Sequence, residues 1–245
     1  NWQKMSIKTI INYSPNFSTY RRKKKNIKYI VYHYTGMNNE NKAINRLTDA
    51  SAKVSCHYFI KRNGTIILMV PELYVAWHAG KSNWKKDQSL NKKSIGIEIS
   101  NKGHDFGYQE FTKKQIKSLI KLSKFLIKKY KIKKENILGH SDIAFNRKKD
   151  PGEKFPWQYL SKHKIGLWHK INENVLFKLR KSIISKKEEL MFFKYLSKIG
   201  YFIKKKDLSN KTKLIRNFQR HFRQNLINGK LDQETLYIAE NLSKN

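Results

Sequence analysis

The hydrophobic positions follow two regimes along the chain. Between residues 27 and 139, short β-branched runs alternate with helical periods. Residues 27–34 are apolar on both faces at Ile30, Val31 and Tyr32, the pattern of a buried central strand. Residues 38–50 place Ala43, Ile44 and Leu47 on one face of a short helix. The runs CHYFIKR and TIILMV flank Asn63 and Gly64, and Asn-Gly between two strand-like runs predicts a hairpin. In SIGIEISN, residues 94–101, Ile95, Ile97 and Ile99 face one way and Gly96, Glu98 and Ser100 the other. Thr112 can cap a helix reaching Tyr130, in which Ile116, Leu119, Ile120, Leu126 and Ile127 recur at helical spacing. Residues 136–139 read as a last short strand. The interleaving predicts an α/β fold with a mixed central sheet flanked by helices, and the hairpin excludes an all-parallel sheet.

After Trp157 the pattern changes. Residues 161–185 read as a linker with short helical pieces, and residues 186–245 as a small three-helix domain with helices over 188–199, 211–224 and 232–242. Residues 1–26 are polar, end in RRKKKN, and read as a surface-draped N-terminal arm. The chain opens on Asn1 without an apolar signal core, and we expect a leader segment ahead of it.

Composition adds two constraints. Lys and Arg total 53 against 18 Asp and Glu, a net charge of +35. Such a charge attracts any polyanion. The basic residues are mostly Lys among much Asn and Ile, however, without the stripe or finger pattern of a nucleic-acid reader, so no specific nucleic acid partner is expected. The single cysteine, Cys56, excludes an intrachain disulfide. It sits in the apolar run SCHYFI and reads as a small buried hydrophobe rather than a nucleophile. No run approaches the ~20 apolar residues of a membrane span.

The candidate chemistry centres on residues 139–156, GHSDIAFNRKKDPGEKFP. His140 and Asp150 are donor types that suit zinc, and a catalytic zinc needs a third protein ligand. His33 is the best candidate, at the C-terminal end of the first strand, where open α/β sheets carry their sites. Glu98 lies mid-strand among small residues, and a carboxylate there is costly unless it has a partner or a task. It is either a general base or an ion pair with a lysine; the room left by Gly96 and Ser100 favours the base. His57 either supports the site or is hydrogen-bonded in the core. Trp77, His78 and Trp84 share a loop with Gly80 and Ser82, suited either to stacking on sugar or peptide or to a satellite hydrophobic cluster.

The blocks VYHYT, SCHYFIKRNG, AWHAG, SIGIEISN and GHSDIA…RKKDPG…FPW occur in the order found in the type 2 family of zinc-dependent N-acetylmuramoyl-L-alanine amidases. Residues 10–160 resemble that family, which shares the fold of peptidoglycan recognition proteins. RNFQRHFR and NGKLDQET resemble the three-helix peptidoglycan-binding module carried by some members. The resemblance implies a catalytic domain over residues 27–160 and one Zn2+ per chain on His33, His140 and Asp150. It implies catalytic roles for Glu98 and for Lys148, two residues before the ligand Asp. Lys149 is a neighbouring alternative that an extended loop would turn the other way. Tyr34 and Thr35 are candidate substrate contacts, followed by Trp77 and His78. The implied reaction is hydrolysis, by a zinc-activated water, of the amide joining N-acetylmuramic acid, intact or anhydro, to L-alanine of the stem peptide. The partners are then peptidoglycan or muropeptides. The setting is the bacterial cell envelope: a periplasmic monomer, anchored to the outer membrane as a lipoprotein through an N-terminal lipidated segment. Phe145 departs from the family's proline and bears on ligand positioning. The alternative is a catalytically inactive peptidoglycan-recognition protein; loss of a ligand or of the glutamate would mark it, and all are present. A polyanion binder driven by charge alone would have no need of zinc.

Overall fold

The computed structural model describes residues 7–244. Its strands are, in chain order, β1 (Ile10–Ile11), β2 (Phe17–Ser18), β3 (Tyr29–Tyr34), β4 (Tyr58–Ile60), β5 (Ile66–Leu68), β6 (Val75–Ala76), β7 (Asn83–Trp84), β8 (Asp87–Gln88), β9 (Ser94–Ile99) and β10 (Ile137–Gly139). Six of them form one sheet in the order β1-β5-β4-β9-β3-β10. The β4–β5 hairpin is antiparallel and the other pairings are parallel, so the sheet is mixed.

The two faces of β3 have different partners. Ile30 and Tyr32 face helix α2 (Lys113–Tyr130) and share a core with its Leu119, Leu122 and Leu126. Thr112 caps that helix as expected, and Gln115 completes a reciprocal capping box with it. Helix α1 (Glu40–Thr48) is capped by Asn39, and its Ala43, Ile44 and Leu47 pack with Phe59 and Ile67. Tyr29 and Val31 face the other way and join Leu138 in a core completed by the C-terminal helices.

After β10 come α3 (His140–Ile143), α4 (Trp157–Lys162), α5 (Glu173–Leu179), α6 (Lys186–Ile199), α7 (Lys211–Phe222) and α8 (Gln233–Ser243). The last three are the three helices expected of residues 186–245. Phe192, Leu196, Leu214, Phe218 and Ile238 are fully buried, in one continuous core with Tyr29, Val31 and Leu138 of the sheet. Each such side chain contributes about 1.5–3 kcal/mol by burial. Gln224 reaches back to donate to the Phe155 carbonyl at 2.7 Å, and the Gly200 carbonyl accepts from Lys85 at 2.6 Å.

The N-terminal residues correct one expectation. Residues 1–6 lie outside the described structure, but residues 7–26 are not simply draped over the surface. Ile10 and Ile11 form an edge strand of the main sheet. Arg22, the second residue of the basic run, is buried and donates to the carbonyls of Glu72, Asn91 and Ser94. A guanidinium has five donors in a fixed fork, so it can satisfy several carbonyls that would otherwise be stranded where loops meet.

A chain ending at Ser185 would uncover the Tyr29, Val31 and Leu138 face of the sheet. We expect it to lose cooperative unfolding near the full-length midpoint, measured by circular dichroism in urea. An unchanged midpoint would make the C-terminal helices an independent unit. In the full chain, Phe218→Ala should cost about 3–5 kcal/mol by the same measurement.

Candidate active site

Strand register assembles the site. In the parallel β3–β9 pair, His33 lies directly beside Glu98, and Val31 and Tyr29 lie beside Gly96 and Ser94. Side chains two apart on a strand share a face, so Ser94, Gly96 and Glu98 form a row next to Tyr29, Val31 and His33. On the other side of β3, Gly139 pairs with Tyr32, and His140 follows as the first residue of α3. Both histidines thus leave the same end of the sheet. Asp150 returns over them, its carbonyl accepting from the Ser141 amide at 2.9 Å. The turn passes so close that a Cβ on Gly139 would stand 2.7 Å from Cδ of Pro151; only glycine fits there.

The three expected ligand atoms converge. His33 Nδ1 is 2.9 Å from His140 Nδ1 and 3.1 Å from Asp150 Oδ2, and His140 Nδ1 is 3.0 Å from the same oxygen. All three residues are buried. His140 Nε2 donates to the Ala79 carbonyl at 3.1 Å, which leaves Nδ1 with its lone pair toward the cluster. Burial, and then the neighbouring His140, lower the His33 pKa to about 4, so its imidazole is neutral at pH 7. Two nitrogens and one carboxylate oxygen, all acceptors, are the donor set of a catalytic zinc site.

Glu98 stands beside the cluster. Its Oε2 is enclosed without a hydrogen-bond partner. Burial raises its pKa well above the ordinary carboxylate value, Asp150 adds to this, and Lys148 opposes it. A cavity of about 410 Å³ opens over the group, with Tyr34, Thr35, Glu98, His140, Lys148 and Asp150 in its wall.

The other expected residues divide. Lys149 also lines the cavity, because residues 144–148 turn back on themselves, with the Arg147 and Lys148 amides both donating to the Ala144 carbonyl. The expected alternation of an extended loop therefore does not operate here; Lys148 is the lysine whose charge reaches Glu98 and His33. Thr35 Oγ1 donates to the Asn101 carbonyl and accepts from its amide, so this hydroxyl is already committed. Tyr34 Oη meets His104, whose other nitrogen meets Glu153, itself paired with Arg220. Trp77 is not in the cavity wall, and its indole donates to Ser18. Trp84 is buried against Tyr201, in the hydrophobic cluster rather than the site. His57 is a core histidine, accepting from the Gly96 amide and donating to the Tyr74 carbonyl. Cys56 is fully buried. Phe145 packs against the C-terminal core, and the cluster converges with it in place.

Two supports escaped the sequence. Arg147, hidden in a basic run, donates to the carbonyls of Ala79 at 2.6 Å and Lys81 at 2.7 Å and ties that loop to the ligand loop. Asp142, within HSDIA, accepts from the Gly139 amide at 2.7 Å, Tyr201 Oη at 2.8 Å and His221 Nδ1 at 2.9 Å. His221 also stacks on Trp157 with ring centroids 3.8 Å apart. C-terminal residues thus hold the turn that carries His140.

A mixed sheet with imidazoles and carboxylates gathered at its strand ends, beneath an open cavity, defines an α/β enzyme of hydrolytic type. The chain belongs to the N-acetylmuramoyl-L-alanine amidase family Amidase_2, whose family model matches residues 23–153. It is 37% identical over 230 residues to the N-acetylmuramoyl-L-alanine amidase AmiD of Escherichia coli, covering 88% of this chain and 82% of that protein. It is 43% identical over 111 residues to the 1,6-anhydro-N-acetylmuramyl-L-alanine amidase AmpD of Haemophilus influenzae, covering 44% of this chain and 58% of that one. Among solved structures, E. coli AmiD in complex with the substrate anhydro-N-acetylmuramic acid-L-Ala-D-gamma-Glu-L-Lys aligns with a TM-score of 0.79 at 36% identity, over 93% of this chain and 91% of that one. AmpDh3 of Pseudomonas aeruginosa in complex with anhydromuramic pentapeptide aligns with a TM-score of 0.79 at 31% identity, over 93% of this chain and 94% of that one.

Asp150→Ala removes one of the three converging atoms and leaves both imidazoles in place. Zinc affinity, measured by competition with a chromophoric chelator, should fall by at least tenfold. Unchanged affinity would remove Asp150 from the ligand set.

Proposed function

We propose that the chain is a zinc-dependent amidase that hydrolyses the bond between N-acetylmuramic acid, intact or anhydro, and L-alanine of the peptidoglycan stem peptide. The observation that carries this reading is the convergence of three acceptor atoms beside a carboxylate, Glu98, with an enclosed and unpartnered oxygen. Family membership and the muropeptide complexes of AmiD and AmpDh3 support the substrate class.

His33, His140 and Asp150 would hold one zinc ion, which when bound polarises a carbonyl and lowers the pKa of water to about 7. The chain's own residues supply the rest. Glu98 takes a proton from the attacking water and passes it to the nitrogen of the leaving L-alanine. The burial that makes its Oε2 a costly place for charge also makes it a stronger base. Lys148 lies along the cavity wall, where an ammonium meets the negative charge that develops on the scissile carbonyl oxygen. One such donor is typically worth about 3–4 kcal/mol. Tyr34 is held by His104 and walls the cavity with a fixed ring. The inactive recognition protein is not favoured, since the ligand residues and Glu98 are together in the fold.

Degradation or recycling of the cell wall is the corresponding role. The bacterial envelope, a periplasmic location, a lipidated N-terminal anchor to the outer membrane and a monomeric state belong to the same proposal, on the family resemblance. The C-terminal helices would add contacts to insoluble wall.

The test is release of free stem peptide from purified anhydro-muropeptide and from intact peptidoglycan, with chelator and with zinc restored. Chelation should abolish release and zinc should restore it. Glu98→Gln should lower kcat by about 10²–10⁴-fold at unchanged zinc content. Loss of zinc from that variant would make Glu98 structural, and no release by the zinc-loaded, wall-binding chain would favour the recognition reading.

A further inference from the structure

His78, a candidate substrate contact, lines the cavity, and its surroundings give it a second task. The ring is buried between His33 and Ser94, with His78 Nδ1 2.9 Å from His33 Nε2 and His78 Nε2 3.0 Å from Ser94 Oγ. Ser94 Oγ is also 2.7 Å from the Leu90 carbonyl. A carbonyl only accepts, so the single hydroxyl proton of Ser94 goes to Leu90. Toward His78 the hydroxyl then accepts, and His78 must carry its proton on Nε2. The partners of this buried ring are an imidazole and a hydroxyl, with no carboxylate among them, and a buried imidazole without a counter-charge carries a single proton. Its Nδ1 is therefore a lone pair, which accepts from His33 Nε2–H. His33 is left with a lone pair on Nδ1, the atom that converges with His140 and Asp150.

We propose that His78 and Ser94 are positioning residues that fix His33 in its metal-binding tautomer, through a chain anchored on the Leu90 carbonyl. The inference rests on the zinc reading above. Gly96 belongs to the same device: a Cβ there would stand 2.4 Å from Cγ of His78, so the ring can occupy its place only over a glycine. Ser94, Gly96 and Glu98 are alternate residues of one strand. The first orients His78, the second makes room for it, and the third faces the cavity. His140 reaches the same tautomer by a shorter route, donating directly to the Ala79 carbonyl.

The experiment uses the full chain and two readouts other than activity. In Ser94→Ala every ligand remains and only the hydroxyl is lost. Its zinc affinity, by chelator competition, should fall about 10- to 100-fold, as expected when the partner of a ligating histidine is removed. Ser94→Thr restores the hydroxyl and should bind as the unsubstituted chain does. Should Ser94→Ala fail to fold, a second pair decides: His78→Asn keeps an acceptor beside His33 and should retain affinity that His78→Ala loses. The second readout is the two-bond nitrogen–proton spectrum of histidine-labelled, metal-free protein, in which His33 and His78 should both carry the proton on Nε2. Unchanged affinity in Ser94→Ala, or a His33 proton on Nδ1, would overturn the proposal. If the unsubstituted chain binds no zinc, the metal reading falls, while the spectra still decide this one.

Discussion

Three hydrogen-bond acceptors cannot rest within about 3 Å of one another unless something rigid holds them or something positive joins them. His33, His140 and Asp150 are in that position, and the rest of the architecture can be understood from it. Rigidity comes from the sheet. His33 is the penultimate residue of a strand buried on both faces, flanked by parallel neighbours that supply Glu98 on one side and lead into His140 on the other. Parallel register fixes all three to within a residue, and no loop motion is needed to bring them together. The carbonyls of Ala79 and Leu90 then decide which nitrogens keep their lone pairs, one directly and the other through Ser94 and His78.

The ligand turn is held by residues far along the chain. Asp142 takes one donor from its own turn and two from the C-terminal helical region. Arg220, on α7, reaches Glu153 just past Asp150, and through it His104 and Tyr34. Both ends of the 140–150 turn therefore touch the C-terminal region, and one of these links ends on Tyr34 in the cavity wall. Phe145, where the family pattern has proline, packs into the same region. Packing there supplies rigidity of the kind that proline would supply through its ring.

Much of this was legible in the sequence, for identifiable reasons. Strand and helix periods fall where buried faces require them, so β3, the β4–β5 hairpin, β9 and α2 could be read directly. The ligand set could be read because histidine and aspartate beside strand ends are scarce and chemically distinctive, and the order of motif blocks reinforced it. What could not be read was the fate of charge and polarity whose partners lie far along the chain. Arg22 looks like one of many solvated cations, yet its partners are backbone carbonyls 50 to 72 residues away. Arg147 was masked in the same way. Ser94 offers no signal, since a serine that orients a histidine has the same letter as one facing water. Lys148 and Lys149 could not be separated by alternation because the loop turns rather than extends.

The continuity of the core from Tyr29 to Phe218 has a consequence for how such a chain can change over generations. Small terminal domains can be exchanged by recombination at a linker where few contacts cross the boundary. Here a recombination near residue 185 would replace one wall of a shared interior and two donors to Asp142 in a single event. A foreign cassette would have to bring matching side chains at positions scattered over three helices. The catalytic and C-terminal parts of this protein are thus tied through one interior, and a change on either side of it has to be matched on the other.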